Sequence, residues 1–431
     1  MQSLSDIFIS GLVRKSQDIP ERVMHQARKA LLDYLGVLAG GKKYLQQKHP
    51  ELIESAPSAS FLNGFAAHVL ELDDGHRLGM IHPGASVVSA VLGVSGEQNL
   101  ASGDVLRGIV MGYEAAVRLA RAVQPGHKER GYHVSGTCGT IGSALGVAFA
   151  CNYSEKQIKS TLACAVSSAA GVLEIQEQAS ELKPYNLGRA AMAAVQAAQL
   201  GKLALPGPDD ILGGKRGFLS AVTDTPHPEF LEDFLDESYA IEGIYQKVHA
   251  ACRHCHPAID AVLSIRRDTA LNPGQIEKIE VRTYRLAVGS HDHTDIRGIA
   301  SAKLSTPFAV ALAVVKGSAG YADYTDATLA DNSIRELTLK VSVIEDEEFT
   351  GLSPKIRGAG VTFFLRNGEQ FQASCLYPKG EPENPLSDEE LQAKFRGLAA
   401  YGGLPAADCD KIIDEVLNTD CFISLEKLFC R

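Results

Sequence analysis

The stretch Leu271-Asn272-Pro273-Gly274-Gln275-Ile276-Glu277-Lys278-Ile279-Glu280-Val281-Arg282-Thr283 decides the fold, because the hydrophobic period changes there. Asn-Pro-Gly is strong turn chemistry. After it, Ile279, Val281 and Thr283 alternate with Glu280, Arg282 and Tyr284, the period of two of a half-buried strand. Leu337, Leu339, Val341 and Val343 alternate with Thr338, Lys340 and Ser342, which predicts a second strand. Val361–Leu365 and Phe371–Tyr377 flank Asn367-Gly368, a dipeptide that accepts the positive φ of a tight hairpin. Ser301 to Val315 reads as a helix between these strands. Residues 269–386 are therefore expected to form a small α+β module.

Upstream the period is helical. Ala27, Leu31, Tyr34, Leu35 and Leu38 mark one apolar face, and Leu106, Ile109, Val110, Tyr113 and Val117 mark another after Ser102-Gly103-Asp104. Ser154-Glu155-Lys156-Gln157 fits a capping box. Small residues recur through Gly136–Ala150, Ala163–Gly171 and Ala190–Ala198, so these helices can approach closely and bury one another. Downstream, Pro378 to Pro385 is a proline-rich linker. Ser387-Asp388-Glu389-Glu390 then makes a second capping box before Leu391, Phe395 and Leu398, and a last helix carries Ile412, Ile413, Val416 and Leu417. These helices need an apolar surface that the all-helical half can supply. The expectation is a mainly α protein: a discontinuous helical domain (1–268 and 387–431) with an inserted α+β lid (269–386).

At 431 residues, with 45% hydrophobic and 22% charged side chains, the composition excludes wholesale disorder. A net charge of −10 argues against nucleic-acid and anionic-membrane partners, which need a concentrated positive field. No apolar run is long enough to cross a bilayer. The N-terminus carries no basic, apolar and small-residue series of an export signal, and nine scattered cysteines read as reduced thiols, so the expected location is cytoplasmic.

Ionisable residues bunch in a few places. Glu71-Leu72-Asp73-Asp74-Gly75-His76 and Met80-Ile81-His82-Pro83-Gly84 put three carboxylates and two imidazoles within twelve residues. Pro83-Gly84 reads as a loop feeding a helix whose free backbone NH groups could receive a substrate carboxylate; a solvated turn is the plainer reading. His133, in Gly131-Tyr132-His133, reads by itself as a capping histidine, and Lys183, in Lys183-Pro184-Tyr185-Asn186, as a surface lysine. Lys247 precedes Cys252-Arg253-His254-Cys255-His256-Pro257. That Cys-x-x-Cys-His spacing matches covalent haem attachment, but haem attachment of this kind belongs to exported proteins. Zinc lacks a second ligand pair in the same run, although His291 and His293 offer imidazoles from the other module. Arg253 with Lys247 is better read as an anion-binding patch. Nucleotide, phosphate-loop, nucleophile-elbow and His-Glu-x-x-His motifs are missing from the sequence. What remains is acid–base chemistry with fixed cations, suited to removing a proton beside a carboxylate without cofactor or metal.

Taken together, the clusters resemble the MmgE/PrpD family, whose activities include 2-methylcitrate dehydratase, cis-aconitate decarboxylase and iminodisuccinate epimerase. The carrying segments are Asn63–His68 running into Glu71–Asp74, His82-Pro83-Gly84, Gly131-Tyr132-His133 with Gly139–Gly142, Lys183–Gly188, Cys252–Asp260, Ala302–Phe308 and Gly380–Leu386, in family order over most of the chain. The resemblance implies a large helical domain with a smaller α+β lid, a homodimer, and a small polycarboxylate as substrate. It also implies roles: His82 and His133 as pocket histidines, Lys183 and Lys247 as carboxylate-binding lysines with Arg253 nearby, and Glu71 and Asp74 holding a histidine or a substrate hydroxyl. An imidazole would abstract an α-proton, and the second imidazole or a carboxylic acid would protonate the leaving group.

Three departures fall in the implied pocket. Gly75 stands where threonine is common, Arg77–Ile81 replaces a shorter histidine–proline segment, and Phe308 takes the place of a common tyrosine. The leading expectation is a cofactor-independent lyase nearest to 2-methylcitrate dehydratase. An epimerase of a substituted succinate, a cis-aconitate decarboxylase, a non-catalytic helical scaffold and a metal or redox protein built on Cys252 and Cys255 stay open beside it.

Overall fold

The computed structural model describes residues 2–177, 180–269, 271–289, 291–420 and 422. It is mainly α, with two small sheets. Helices Glu21–Lys48, Ala59–Val69, Gly84–Gln98, Ser102–Val123, Val134–Ala150, Glu155–Ser168 and Tyr185–Gly201 build the helical part. Helix Val134–Ala150 lies at its centre with every residue buried. Its small residues are the reason. A Cβ on Gly142 would stand 2.4 Å from the Ala116 Cβ, and one on Gly146 2.8 Å from the Gly108 carbonyl oxygen, so this helix and Ser102–Val123 touch backbone to backbone.

Both capping boxes form: Ser154 N donates to Gln157 Oε1 at 2.8 Å, and Ser387 N to Glu390 Oε2 at 2.7 Å. Helices Asp388–Tyr401 and Ala406–Asn418 place Leu391, Phe395, Ile412, Ile413 and Val416 in the same buried cluster as Leu31 and Leu35, so the chain leaves this core and later returns to it. The expected terminal segment beyond Asp420 falls, Phe422 apart, outside the described residues.

A two-stranded ribbon pairs β1 (Gly75–His76) with β2 (Ile244–Tyr245) antiparallel. The larger sheet has β3 (Ile276–Thr283), β4 (Val341–Glu345), β5 (Ala359–Leu365) and β6 (Gln370–Cys375) in the order β4-β3-β5-β6. Only β3 and β4 run parallel. The β5–β6 hairpin turns at Asn367-Gly368, with Gly368 at φ 86°. A second buried cluster lies under this sheet. It takes in Ala258, Ile259, Val262 and Ile265 of helix His256–Asp268, so this core begins upstream of the Asn272-Pro273-Gly274 turn.

Two local expectations need correction. Leu337 is not in a strand: Asn332–Thr338 is a helix that buries Ile334 and Leu337 one turn apart, and Leu339 is 72% exposed. The helical stretch from Ser301 to Val315 is two helices, Ile299–Leu304 and Thr306–Lys316, because Ser305 Oγ accepts from Phe308 N and so caps a new start.

Candidate active site

Helix Ala59–Val69 ends just before Glu71, whose backbone takes the left-handed conformation at φ 55°. That costs a residue with a Cβ about 1–2 kcal/mol. The turn drives the Glu71 carboxylate inward, where Lys183 Nζ donates to Oε1 and Lys247 Nζ to Oε2, the latter at 3.0 Å. Burial would raise this carboxyl, but the two ammonium groups overcome it and hold Glu71 well below the usual carboxylate range. Burial likewise works against Asp73, and His68, His82 and Lys247 keep it anionic. Asp73 Oδ2 lies 2.7 Å from His68 Nδ1 and 3.5 Å from His82 Nδ1, and Oδ1 lies 3.7 Å from Lys247 Nζ.

The two expected pocket histidines present opposite chemistry. His82 Nδ1 lies 2.7 Å from the Asp74 carbonyl oxygen, which requires the proton on Nδ1 and leaves the Nε2 lone pair free. Asn186 Nδ2 donates to His133 Nδ1 at 2.9 Å, so the His133 proton sits on Nε2. One ring can take a proton while the other can give one. Burial pushes His82 down to about 3, with Lys247 adding to it against the pull of Asp73. His133 is lowered chiefly by burial and then by Lys183.

Asp74 needs correction. Its carboxylate turns away from the imidazoles: Oδ2 accepts from Tyr113 OH at 2.6 Å and Oδ1 from Gly84 N at 3.0 Å. It reaches His82 only through its main-chain oxygen, so it is a positioning residue. The Gly84 N to Asp74 Oδ1 bond occupies the helix N-terminus that was expected to receive a substrate carboxylate. Burial raises the Asp74 carboxyl to about 7, against the two hydrogen bonds it accepts. Phe308 also lies elsewhere: it is 1% exposed in the second core, its ring 6.1 Å from Tyr324. Arg253 is buried beside the site with Nε bonded to Glu381, while Nη1 and Nη2 have no hydrogen-bond partner.

The reading from sequence passed over several members. His68 is fully buried between Asp73 and Glu71; its Nε2 lies 3.6 Å from Glu71 Oε1 and makes no hydrogen bond among the described residues. Lys303 is 3% exposed and donates to the Val69 carbonyl at 3.2 Å. Tyr245 stands edge-on to His82, with ring centroids 6.5 Å apart. Its hydroxyl would lie 2.2 Å from a Cβ on Gly75, so glycine is required there for Tyr245 to enter. Cys252 Sγ lies 3.8 Å from His291 Nε2, and this imidazole pulls the thiol down against the effect of burial. Helical phase could have flagged His68, which shares the buried stripe of Phe61 and Phe65; nothing local marks Tyr245, whereas Cys252 belongs to the Cys-x-x-Cys-His run that the sequence does mark.

A cavity of about 440 Å³ opens beside the cluster, lined by His68, Glu71, Lys183 and Lys303, by apolar side chains, and by His49, Glu51 and Glu181. Among the described residues, two groups bring three ligand-type atoms within 4.8 Å of one another: His68, Asp73 and His82; and Cys252, His254 and His291. Lys247 stands 3.7 Å from Asp73, and Arg357, Lys128 and Arg253 act on His254. Cations beside both groups oppose a divalent ion and favour an anionic substrate.

Two family models match the chain: the MmgE/PrpD N-terminal domain over residues 50–231 and the MmgE/PrpD C-terminal domain over residues 249–419. The human cis-aconitate decarboxylase is 24% identical over 442 residues, covering 93% of this chain and 88% of that protein. A cis-aconitate decarboxylase-like protein of Aspergillus oryzae is 23% identical over 433 residues, covering 90% and 88%. The mouse cis-aconitate decarboxylase is 24% identical over 434 residues, covering 93% and 87%. With both halves of the family architecture matched in order, and with the histidines and lysines of the shared segments gathered into one buried cluster, the chain belongs to the MmgE/PrpD family.

Proposed function

We propose that the protein is a cofactor-independent lyase that moves a proton on a carbon beside a carboxylate of a small di- or tricarboxylate. The observation that carries this reading is that His82 Nδ1 meets a carbonyl oxygen and His133 Nδ1 an amide NH, beside the Glu71–Lys183–Lys247 cage. His82 Nε2 takes the α-proton. The electron pair left behind spreads into the carboxylate, where lysine ammonium groups stabilise it. It then expels a β-substituent, and the His133 Nε2 proton goes to the departing oxygen if that group is hydroxide. A substrate's own carboxylates raise the imidazoles from their depressed resting values, because a nearby negative charge favours the imidazolium.

Dehydration of 2-methylcitrate and decarboxylation of cis-aconitate are both within reach of these groups, and the names of the relatives put cis-aconitate first for trial. In the decarboxylation carbon dioxide leaves, its electron pair passes into the allylic system, and an imidazole proton quenches the carbon. In our reading the sheet unit of residues 269–386 acts as a lid and the protein works as a cytoplasmic homodimer. The test is proton NMR in D2O of the purified protein, without added metal, against cis-aconitate, 2-methylcitrate, citrate, malate and iminodisuccinate. Loss of carbon dioxide, loss of water and α-deuterium exchange give different spectra. A silent panel would overturn dehydration of 2-methylcitrate and decarboxylation of cis-aconitate as its reactions.

A further inference from the structure

Charge in the cluster is unevenly matched. Glu71 binds both Lys183 and Lys247, and Asp73 adds a second contact to Lys247, so two carboxylates already compensate two lysines. Lys303 is different. It lies buried on the cavity wall, and its contacts are the Val69 carbonyl and the Tyr44 ring, 5.4 Å from Nζ to centroid. No carboxylate among the described residues pairs with it. An ammonium group has three donors, and burial pushes Lys303 down to about 8 against the more distant pull of Glu71. His68 Nε2, also lining the cavity, makes no hydrogen bond among the described residues and lies 3.6 Å from Glu71 Oε1. The apolar lining of the cavity is Leu52, Phe61, Phe65, Leu182, Tyr185 and Ile299. A substrate consisting only of carboxylates and hydroxyls would leave those faces wet and unused. At about 440 Å³ the space falls in the range of small-molecule sites.

We infer that this cavity is a specificity subsite for a dicarboxylate bearing an apolar substituent, with one carboxylate on Lys303 and the substituent, up to phenyl in size, against Leu52, Phe61 and Ile299. This rests on the polycarboxylate reading above and narrows it to a substituted succinate. Lys303 lines the same cavity as Glu71 and Lys183, so a ligand anchored on it has the cage within the same space for its other carboxylate.

The experiment is calorimetric titration of the intact protein with succinate and with benzylsuccinate, which needs no turnover. Benzylsuccinate is expected to bind about tenfold more tightly or better, since each buried methylene-equivalent contributes about fourfold. Lys303→Met should weaken both ligands about tenfold. Leu52→Trp, on the short helix Pro50–Ser55, which buries none of its residues, should abolish the preference for benzylsuccinate while leaving succinate unchanged. Equal affinities in the wild type, or a preference that survives Leu52→Trp, would overturn the apolar subsite while leaving the lyase reading intact. Unchanged binding in Lys303→Met would overturn the anchor. Binding of neither ligand would overturn the subsite and the dicarboxylate reading together.

Discussion

Asp73 and Asp74 are neighbours in sequence and both are buried, yet they end up in opposite states. Asp73 faces His68, His82 and Lys247 and is held anionic. Asp74 faces Tyr113 and the start of helix Gly84–Gln98, has no cation in contact, and rises to about 7. The segment from His68 to Gly84 therefore has a front that meets the cavity and imidazoles and a back that meets the helical core. Burial is common to both sides; the partner decides the charge. A carboxylate with imidazole and ammonium neighbours can tune proton transfer. One with a phenol and a peptide NH is a buried clasp.

Substitutions on the front should cost activity and spare the fold. His82→Ala and His133→Ala are expected to lower kcat by about 10²–10⁴, the usual worth of a positioned acid or base, with unchanged circular dichroism. Full activity in both variants would remove the proton-transfer assignment. Asp73→Asn should lower kcat by about 10²-fold, because an amide cannot stabilise an imidazolium on either neighbouring ring. It should also remove a pH effect. The folded carboxyl is depressed, so its stabilisation is present above about pH 3.9, the unfolded value, and is lost as pH falls below it. The variant's unfolding midpoint should accordingly depend less on pH in the acid range.

Much of this division was legible in the chain and part of it was not. The helical stripes, both capping boxes and the Asn367-Gly368 hairpin are local patterns, and local patterns survive packing. Leu337 and Leu339 mislead because seven residues with alternating leucines fit a strand or the end of a helix, and packing of Ile334 chooses the helix. The acidic motif marks a site, but a sequence cannot say which of two adjacent aspartates faces it. That depends on Tyr113 and Gly84, brought in by other helices. Gly75 is the clearest case. It reads as a lost threonine until β1 pairs with β2, which brings the Tyr245 phenol into the space a side chain would fill.

That contact supplies the next test. Gly75→Thr puts a Cβ 2.2 Å from the Tyr245 hydroxyl and 2.4 Å from its Cζ, so something must move. Overpacking of this kind costs about 1–3 kcal/mol. If the clash is the cause, Gly75→Thr combined with Tyr245→Ala should be less destabilised than the two single variants summed, as read from urea midpoints.

Substitutions on the back should spare activity. Asp74→Asn is expected to keep turnover near wild type, because the main-chain oxygen that holds His82 is untouched. Its signature is in stability. The folded Asp74 carboxyl is raised, so its favourable contribution is complete below about pH 3.9 and is lost as pH climbs through about 7. The asparagine variant should lack that decline when unfolding is followed between about pH 4 and pH 8. A fall in kcat of more than about 10²-fold would instead place the side chain among the proton-transfer groups.

The smallest effect is expected at Phe308. Its ring packs in the second core against Tyr324 and does not line the cavity. Phe308→Tyr restores the hydroxyl common in the family, but places it within that buried core. Turnover should not change, and burial of the extra hydroxyl should cost about 1–3 kcal/mol unless it meets the Tyr324 oxygen, itself buried without a partner. A tyrosine that raised kcat tenfold would have to reach the His82–His133 pair, and the boundary drawn between this core and the site would then be in the wrong place.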